Sequence, residues 1–308
     1  MRKAFITSLV ELAERDPRVV LLTGDLGFTV IEDFAERFPD RFFNVGVAEQ
    51  NMLGVATGLA EAGFVPFAYS IATFATMRPY EFLRNGPLLH GLPVRLVGVG
   101  SGLDYGNNGI THYALEDVAL MRAQPAMMVV APVDPDQADA AVAATSEHPG
   151  PIYFRVGKCA DPIPELSGRF RAGRAEILRE GGDVAIVALG PTARTALDAS
   201  DLLAESGISA AVASVACFNP SPAADVAELL AGVRVAITIE VHYRNGGLGS
   251  FVAEVIAEHG LNIRLVRSAV NEMPRALSGS QQYLLEHYGL TPRAVAESTL
   301  ASLALEGS

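Results

Sequence analysis

At 308 residues the chain is long for one compact domain and comfortable for two of about 150 each. Half of its residues are hydrophobic and 19% are charged, which excludes a chain that is disordered over most of its length. With 35 acidic and 23 basic residues the formal charge is -12, which excludes a general attraction for nucleic-acid phosphates or anionic lipid.

The start, Met1 to Thr7, is soon followed by Glu11 and Glu14, lacks a signal-peptide apolar core and reads as a cytoplasmic beginning. Apolar, β-branched runs then predict strands at 19–23, 65–69, 94–99, 127–131 and 151–155. Between them the periodic stretch 52–62 predicts a helix that stops at Gly63. Asp134-Pro135-Asp136-Gln137 predicts another: a cap residue, proline at the first helical position and glutamine three residues after the cap. The stretch from Lys158 to Asp183 holds Pro162, Pro164, Gly168, Gly173, Gly181 and Gly182 and reads as a connection. Strands are predicted again at 184–189, 210–214, 233–240 and 263–266, and two helices, parted near Gly289, between 281 and 305. Continuous apolar strands alternating with helices imply an α/β fold of two domains, each a mostly parallel sheet flanked by helices. The expected division is 1–158, a linker 159–182, and 183–308. No apolar run of about 18 residues suggests a membrane span. Cys159 and Cys217 have no CxxC spacing and read as free thiols of a reducing compartment.

Three segments carry polar groups where chemistry is done. In Asn44-Val45-Gly46-Val47-Ala48-Glu49-Gln50-Asn51-Met52 a short strand ends and a carboxylate opens a helix; Glu49 complements the helix dipole or acts as an acid. Phe74, in Thr73-Phe74-Ala75-Thr76-Met77-Arg78-Pro79-Tyr80-Glu81, is a core aromatic or a stacking surface. His112, in Asn107-Asn108-Gly109-Ile110-Thr111-His112, stands in a polar loop before Glu116 and Asp117, which open a helix. Gly98-Val99-Gly100-Ser101-Gly102 lacks the spacing of a dinucleotide loop, and Gly246-Gly247-Leu248-Gly249 reads as a tight turn into a helix. Signatures of P-loop nucleotide, zinc-protease and serine-hydrolase sites are absent.

Together, Gly46 to Met52, Phe74 to Arg84 and Gly109 to His112 resemble the C-terminal half of transketolase, a pyrimidine-binding domain followed by the transketolase C-terminal domain. Deoxyxylulose phosphate synthase shares both domains. The resemblance implies thiamine diphosphate as cofactor. The carboxylate matching Glu49 hydrogen-bonds its aminopyrimidine and promotes the imino tautomer, Phe74 stacks on that ring, and Asp25 in Gly24-Asp25-Leu26-Gly27 lies near the thiazolium side. Arg78, within the second motif, joins the cofactor site. His112 matches a histidine that contacts donor oxygens, and Arg155 in Phe154-Arg155-Val156-Gly157 matches an arginine used for the sugar phosphate. Two positions depart from the pattern: Asn108 replaces an aspartate, and Gly100 or Ser101 stands where a phosphate-binding histidine is usual. Asn108 and Ser101 count as substrate contacts: the first removes a charge that bears on the hydroxyaldehyde preference, and the second removes an anion contact, so selectivity for phosphosugars is expected to fall.

The sequence has no Gly-Asp-Gly, the motif by which the family's other domain binds diphosphate through a metal, expected to be magnesium. The implied protein is the pyrimidine-binding subunit of a split transketolase. It would transfer a two-carbon ketol unit from a ketose to an aldehyde, as a heterotetramer, α2β2, with a diphosphate-binding partner that holds the metal. Two other readings are the β subunit of a 2-oxoacid dehydrogenase and a non-catalytic scaffold. The Ala48-Glu49-Gln50-Asn51 and Thr111-His112 runs favour transketolase over the former, and the presence of Glu49, Phe74 and His112 argues against the latter.

Overall fold

The computed structural model describes residues 1–158 and 161–306. Its first half runs α1 (Arg2–Arg15), β1 (Val19–Thr23), α2 (Glu32–Arg37), β2 (Phe42–Asn44), α3 (Glu49–Glu61), β3 (Val65–Ile71), α4 (Ala72–Met77), α5 (Tyr80–Leu83), β4 (Arg95–Val99), α6 (Asp117–Arg122), β5 (Met128–Val130), α7 (Pro135–Thr145) and β6 (Ile152–Val156). The second half runs β7 (Ala175–Arg179), β8 (Val184–Leu189), α8 (Thr192–Glu205), β9 (Ala210–Val215), β10 (Cys217–Phe218), α9 (Ala223–Leu230), β11 (Val235–Tyr243), α10 (Leu248–Glu258), β12 (Arg264–Val270), α11 (Gln281–His287) and α12 (Pro292–Glu306). The helix stops and starts follow local chemistry. Gly63 takes φ +93° just beyond α3, a conformation that favours glycine. At α7 the Asp134 side chain accepts from Gln137 N at 2.8 Å, the bond that its sequence predicts.

The first sheet has the order β10-β5-β6-β4-β3-β1-β2, the second β12-β11-β8-β9-β7. Pairing is parallel except for β10 on β5 and β7 on β9. Two short strands lie where the sequence predicts none. β7 forms inside the stretch read as a connection, because Ala175 and Leu178 are buried against the second sheet while glycines and prolines surround them in sequence. β10 leaves the second half and closes the edge of the first sheet, with Cys217 opposite Val130 and Phe218 opposite Val129. One hydrophobic cluster accordingly spans both halves. It joins Leu22, Met52 and Leu96 of the first to Val187, Ala236 and Val252 of the second. Phe218 meets Phe251 edge-on at 5.3 Å within it. Cys217 is a free, buried thiol whose pKa burial pushes up to about 11; Cys159 lies outside the described residues. Among the described residues no helix is long and apolar enough to cross a membrane.

Candidate active site

Parallel pairing puts the C-terminal ends of β1, β3 and β4 on one edge of the first sheet. Crevices outside such strand ends are where open α/β sheets bind ligands. Glu49, the first residue of α3, points into this edge and is 1% exposed. Its Oε1 accepts from Ser70 Oγ at 2.9 Å and its Oε2 from Arg78 Nη1 at 2.6 Å. A carboxylate taken out of water needs such donors. Gly24, past the end of β1, leaves room for it: a Cβ there would sit 3.3 Å from Glu49 Oε1 and 3.6 Å from Gly46 O.

Arg78 follows α4 and turns back over it. Its guanidinium carbon stands 3.9 Å from the centroid of Phe74, so the same side chain that pairs with Glu49 covers the Phe74 ring. The His112 ring meets Phe74 edge-on at 5.1 Å, and the Tyr105 ring lies beyond it at 6.2 Å. The Thr111 hydroxyl engages His112 Nδ1 at 3.0 Å. Glu49, Arg78, Phe74 and His112, drawn from three separate segments, thus form one continuous row.

The remaining candidates are placed differently. Asp25 takes φ +59° at the end of β1 and is exposed. Its Oδ1 accepts from Asn44 Nδ2 at 2.9 Å while Asn44 Oδ1 accepts from Asp25 N, which ties the β1 and β2 ends together beside Glu49. Asn108 closes a short 3-10 turn (Gly106–Asn108) and is exposed. Ser101 is buried, with its Oγ 3.6 Å from where a Cβ on Gly157 would lie. Gly100 has φ +77°, and any Cβ there would overlap Tyr105 Cε2. Tyr105 fills the space that a larger side chain at 100 would need.

Arg155 does not join the row. Its side chain is 2% exposed; Nε donates to Asp117 Oδ2 at 2.7 Å and Nη2 to Val241 O at 2.9 Å. Tyr153 donates to the same Asp117 oxygen at 2.7 Å. Burial opposes the charge on Arg155, and Asp117, with smaller help from Tyr153 and Asp104, more than restores it. Freeing this guanidinium for a ligand would strand a buried carboxylate, a loss of about 3–5 kcal/mol. Arg155 therefore clamps the first half to β11 of the second.

Four groups at the site escaped the sequence reading. Ser70 is the one small polar residue of an otherwise apolar and aromatic strand, a signal in itself, and Gly24 owes its role to a close approach. Tyr105 lines the far side of His112, and the Lys158 ammonium stands 5.2 Å from its ring centroid. Among the described residues no cluster of three metal-ligating side chains occurs.

Two family models match: the transketolase pyrimidine binding domain over residues 1–160, and the transketolase C-terminal domain over residues 173–295. A Methanocaldococcus jannaschii protein named as a transketolase C-terminal section is 38% identical, over 99% of this chain and 97% of its own. The 6-deoxy-6-sulfo-D-fructose transketolase subunit SqwH of a Clostridium species is 37% identical, over 96% and 92%. A solved structure described as a split gene transketolase, inactive beta4 tetramer, superposes with a TM-score of 0.90 at 40% identity, covering 99% of this chain and 98% of that one.

Proposed function

Because the chain belongs to the transketolase family, we propose that it is the pyrimidine-binding subunit of a two-subunit, thiamine-diphosphate-dependent enzyme. The reaction is transfer of a two-carbon ketol unit from a ketose to an aldehyde. The observation that carries this reading is the buried Glu49 carboxylate joined through Arg78 to an aromatic ring face. Arg78, a planar cation, lies on Phe74 and donates to Glu49 at once. The cradle therefore suits a flat, hydrogen-bonding heterocycle between ring face and carboxylate. Thiamine diphosphate, when bound, supplies the nucleophilic carbon that the protein lacks.

Glu49 would hold the aminopyrimidine ring nitrogen and exchange a proton with it at Oε, shielded from water. Phe74 would supply the stacking face. His112, with Nδ1 taken by Thr111, presents Nε2 to a donor oxygen. Asp25 and Asn108, both exposed beside this row, are assigned to its cofactor and substrate flanks. These residues all lie within the first domain, 1–158; the C-terminal domain from 183, together with β7, braces it.

The diphosphate and its magnesium are assigned to a partner subunit in an α2β2 assembly. An acidic chain of charge -12 without a Gly-Asp-Gly motif is a poor host for a diphosphate. A cytosolic setting suits the free Cys217 thiol. The purified chain should show no ketol transfer with cofactor and magnesium, and activity should appear on adding the diphosphate-binding subunit. Turnover by the pure single chain would refute the split-enzyme reading.

A further inference from the structure

The loop that carries His112 is shut at its base. Gly102 N donates to Ala114 O at 3.1 Å and Ala114 N to Gly102 O at 2.9 Å. Between these bonds run two 3-10 turns, Gly106–Asn108 and Ile110–His112. The second half meets the loop at two glycines, where only a bare backbone fits. A Cβ on Gly102, the last residue of the glycine run 98–102, would lie 2.5 Å from Val241 Cγ1, and one on Gly106 would lie 2.4 Å from Gly279 O. Gly279 N donates to Gly106 O at 3.2 Å, and Gln281 Nε2 to Asp104 Oδ1 at 2.6 Å. Tyr113, next in the chain after His112, ties these contacts together. It is 2% exposed and packs with Leu103 and Leu115 of the first half and Val270, Leu284 and Leu290 of the second. Its hydroxyl lies 2.9 Å from Gly106 O and 2.8 Å from Leu277 O. A phenol has one proton to give, so that proton is shared between the turn that leads to His112 and a segment of the second half.

We propose that Tyr113 is a positioning residue for His112, and that through its hydroxyl the second half sets where His112 Nε2 stands. This rests on the donor-binding role given to His112 above. The ring and hydroxyl that His112 touches, Phe74, Tyr105 and Thr111, all belong to the first half, so the second half reaches His112 through the loop backbone. A group that must meet a substrate oxygen depends on such support, since a misplacement of about 1 Å costs about a hundredfold in rate. The C-terminal domain thereby acts on donor binding without supplying a side chain to the row Glu49–Arg78–Phe74–His112.

The test uses the assembled enzyme, wild type and Tyr113→Phe, which keeps the packed ring and deletes the hydroxyl, assayed well below the Tm of both. kcat/KM for a ketose donor should fall about tenfold to a hundredfold. Thiamine diphosphate affinity and hydrogen–deuterium exchange at its thiazolium carbon should stay as in wild type, because Glu49, Phe74 and Arg78 stand on other segments. A residue that only stabilises the fold would lower the Tm and leave the donor kcat/KM alone; that result overturns the proposal, as does exchange that slows in parallel. Should Tyr113→Phe not assemble, Gln281→Ala removes an exposed tie to the same loop and is read by the same criteria. Absence of ketol transfer by wild type with every ketose would instead defeat the reaction assigned above. The positioning is then read by NMR of the assembly labelled at its six histidines, with the His112 signal assigned by His112→Gln. Tyr113→Phe should shift or broaden that signal and leave the signal of His259, at the end of α10, in place; an unmoved His112 signal overturns the proposal.

Discussion

Glu49 and Arg78 form an ion pair of 2.6 Å in which the carboxylate side chain is 1% exposed and the guanidinium side chain 42%. One partner is fixed in the protein and the other comes to it from the solvent side, across the face of Phe74. Arg78→Met leaves Glu49 with Ser70 as its remaining donor. The expected loss is about 1–2 kcal/mol, less than for a fully buried pair because water reaches the arginine. A cofactor that offers Glu49 a new donor should restore much of it, so the rise in Tm of the assembly on adding thiamine diphosphate should be larger in the variant. Calorimetry with and without cofactor checks this; equal rises would contradict it.

Glu49→Gln keeps the shape of the side chain and removes its acidity. In the assembled enzyme, hydrogen–deuterium exchange at the thiazolium carbon of bound cofactor, followed by NMR, should slow by about 100- to 10,000-fold. Exchange at the wild-type rate would sink the role given to Glu49.

The buried clamp should behave unlike the site. Arg155→Met strands Asp117, whose Oδ1 already has no partner, and should cost about 3–5 kcal/mol. Adding Asp117→Asn should recover part of that loss, since the stranded charge goes with it. A double-mutant cycle by urea unfolding measures the coupling. Strict additivity would show that the pair is not the source of the loss.

Arg174 sets a pH dependence at the start of β7. Its Nε donates to Asp225 Oδ2 at 2.6 Å, and the hydrogen bond from this guanidinium holds the Asp225 carboxyl below its usual 3.8, against the upward push of burial. Because the folded value is the lower one, the contribution is fully present above 3.8 and fades as pH falls through the folded value. Asp225→Asn should lower the Tm only slightly, given how exposed Arg174 is. The Tm gap between wild type and variant should hold steady from pH 8 to about 5 and narrow only in stronger acid. A gap already closing between pH 7 and 6 would assign the effect to another group.

Apolar runs long enough to show a pattern were legible in sequence. β1 and β8 fall at 19–23 and 184–189 as read, and α7 opens on Asp134. Of β2 only its end before Glu49 was legible; β10 was not, because a two-residue strand carries no periodicity, and β7 was hidden by the glycines and prolines beside it. At the site, Glu49, Phe74 and His112 are legible from motifs and come together in space. The fate of Arg155 was not legible, because it depends on Asp117, 38 residues earlier, and on a backbone oxygen of Val241, 86 residues later. Neither distance leaves a local trace. Lys158 escaped notice because it follows Gly157 at the start of a stretch that reads as linker.

The two residues of β10 bind the halves into a single cooperative unit. With Ala131 N bonded to Ala216 O at 2.8 Å and Val129 and Val130 opposite Phe218 and Cys217, β5 has no free edge. Severing the chain after residue 158 would bare that edge, a ready template for pairing with another molecule. A fragment ending there should aggregate, even though it carries Glu49, Phe74 and His112. Recombination between relatives meets the same barrier: a donated second half must bring a matching patch for β5, so the halves of this molecule are not interchangeable modules but parts inherited together.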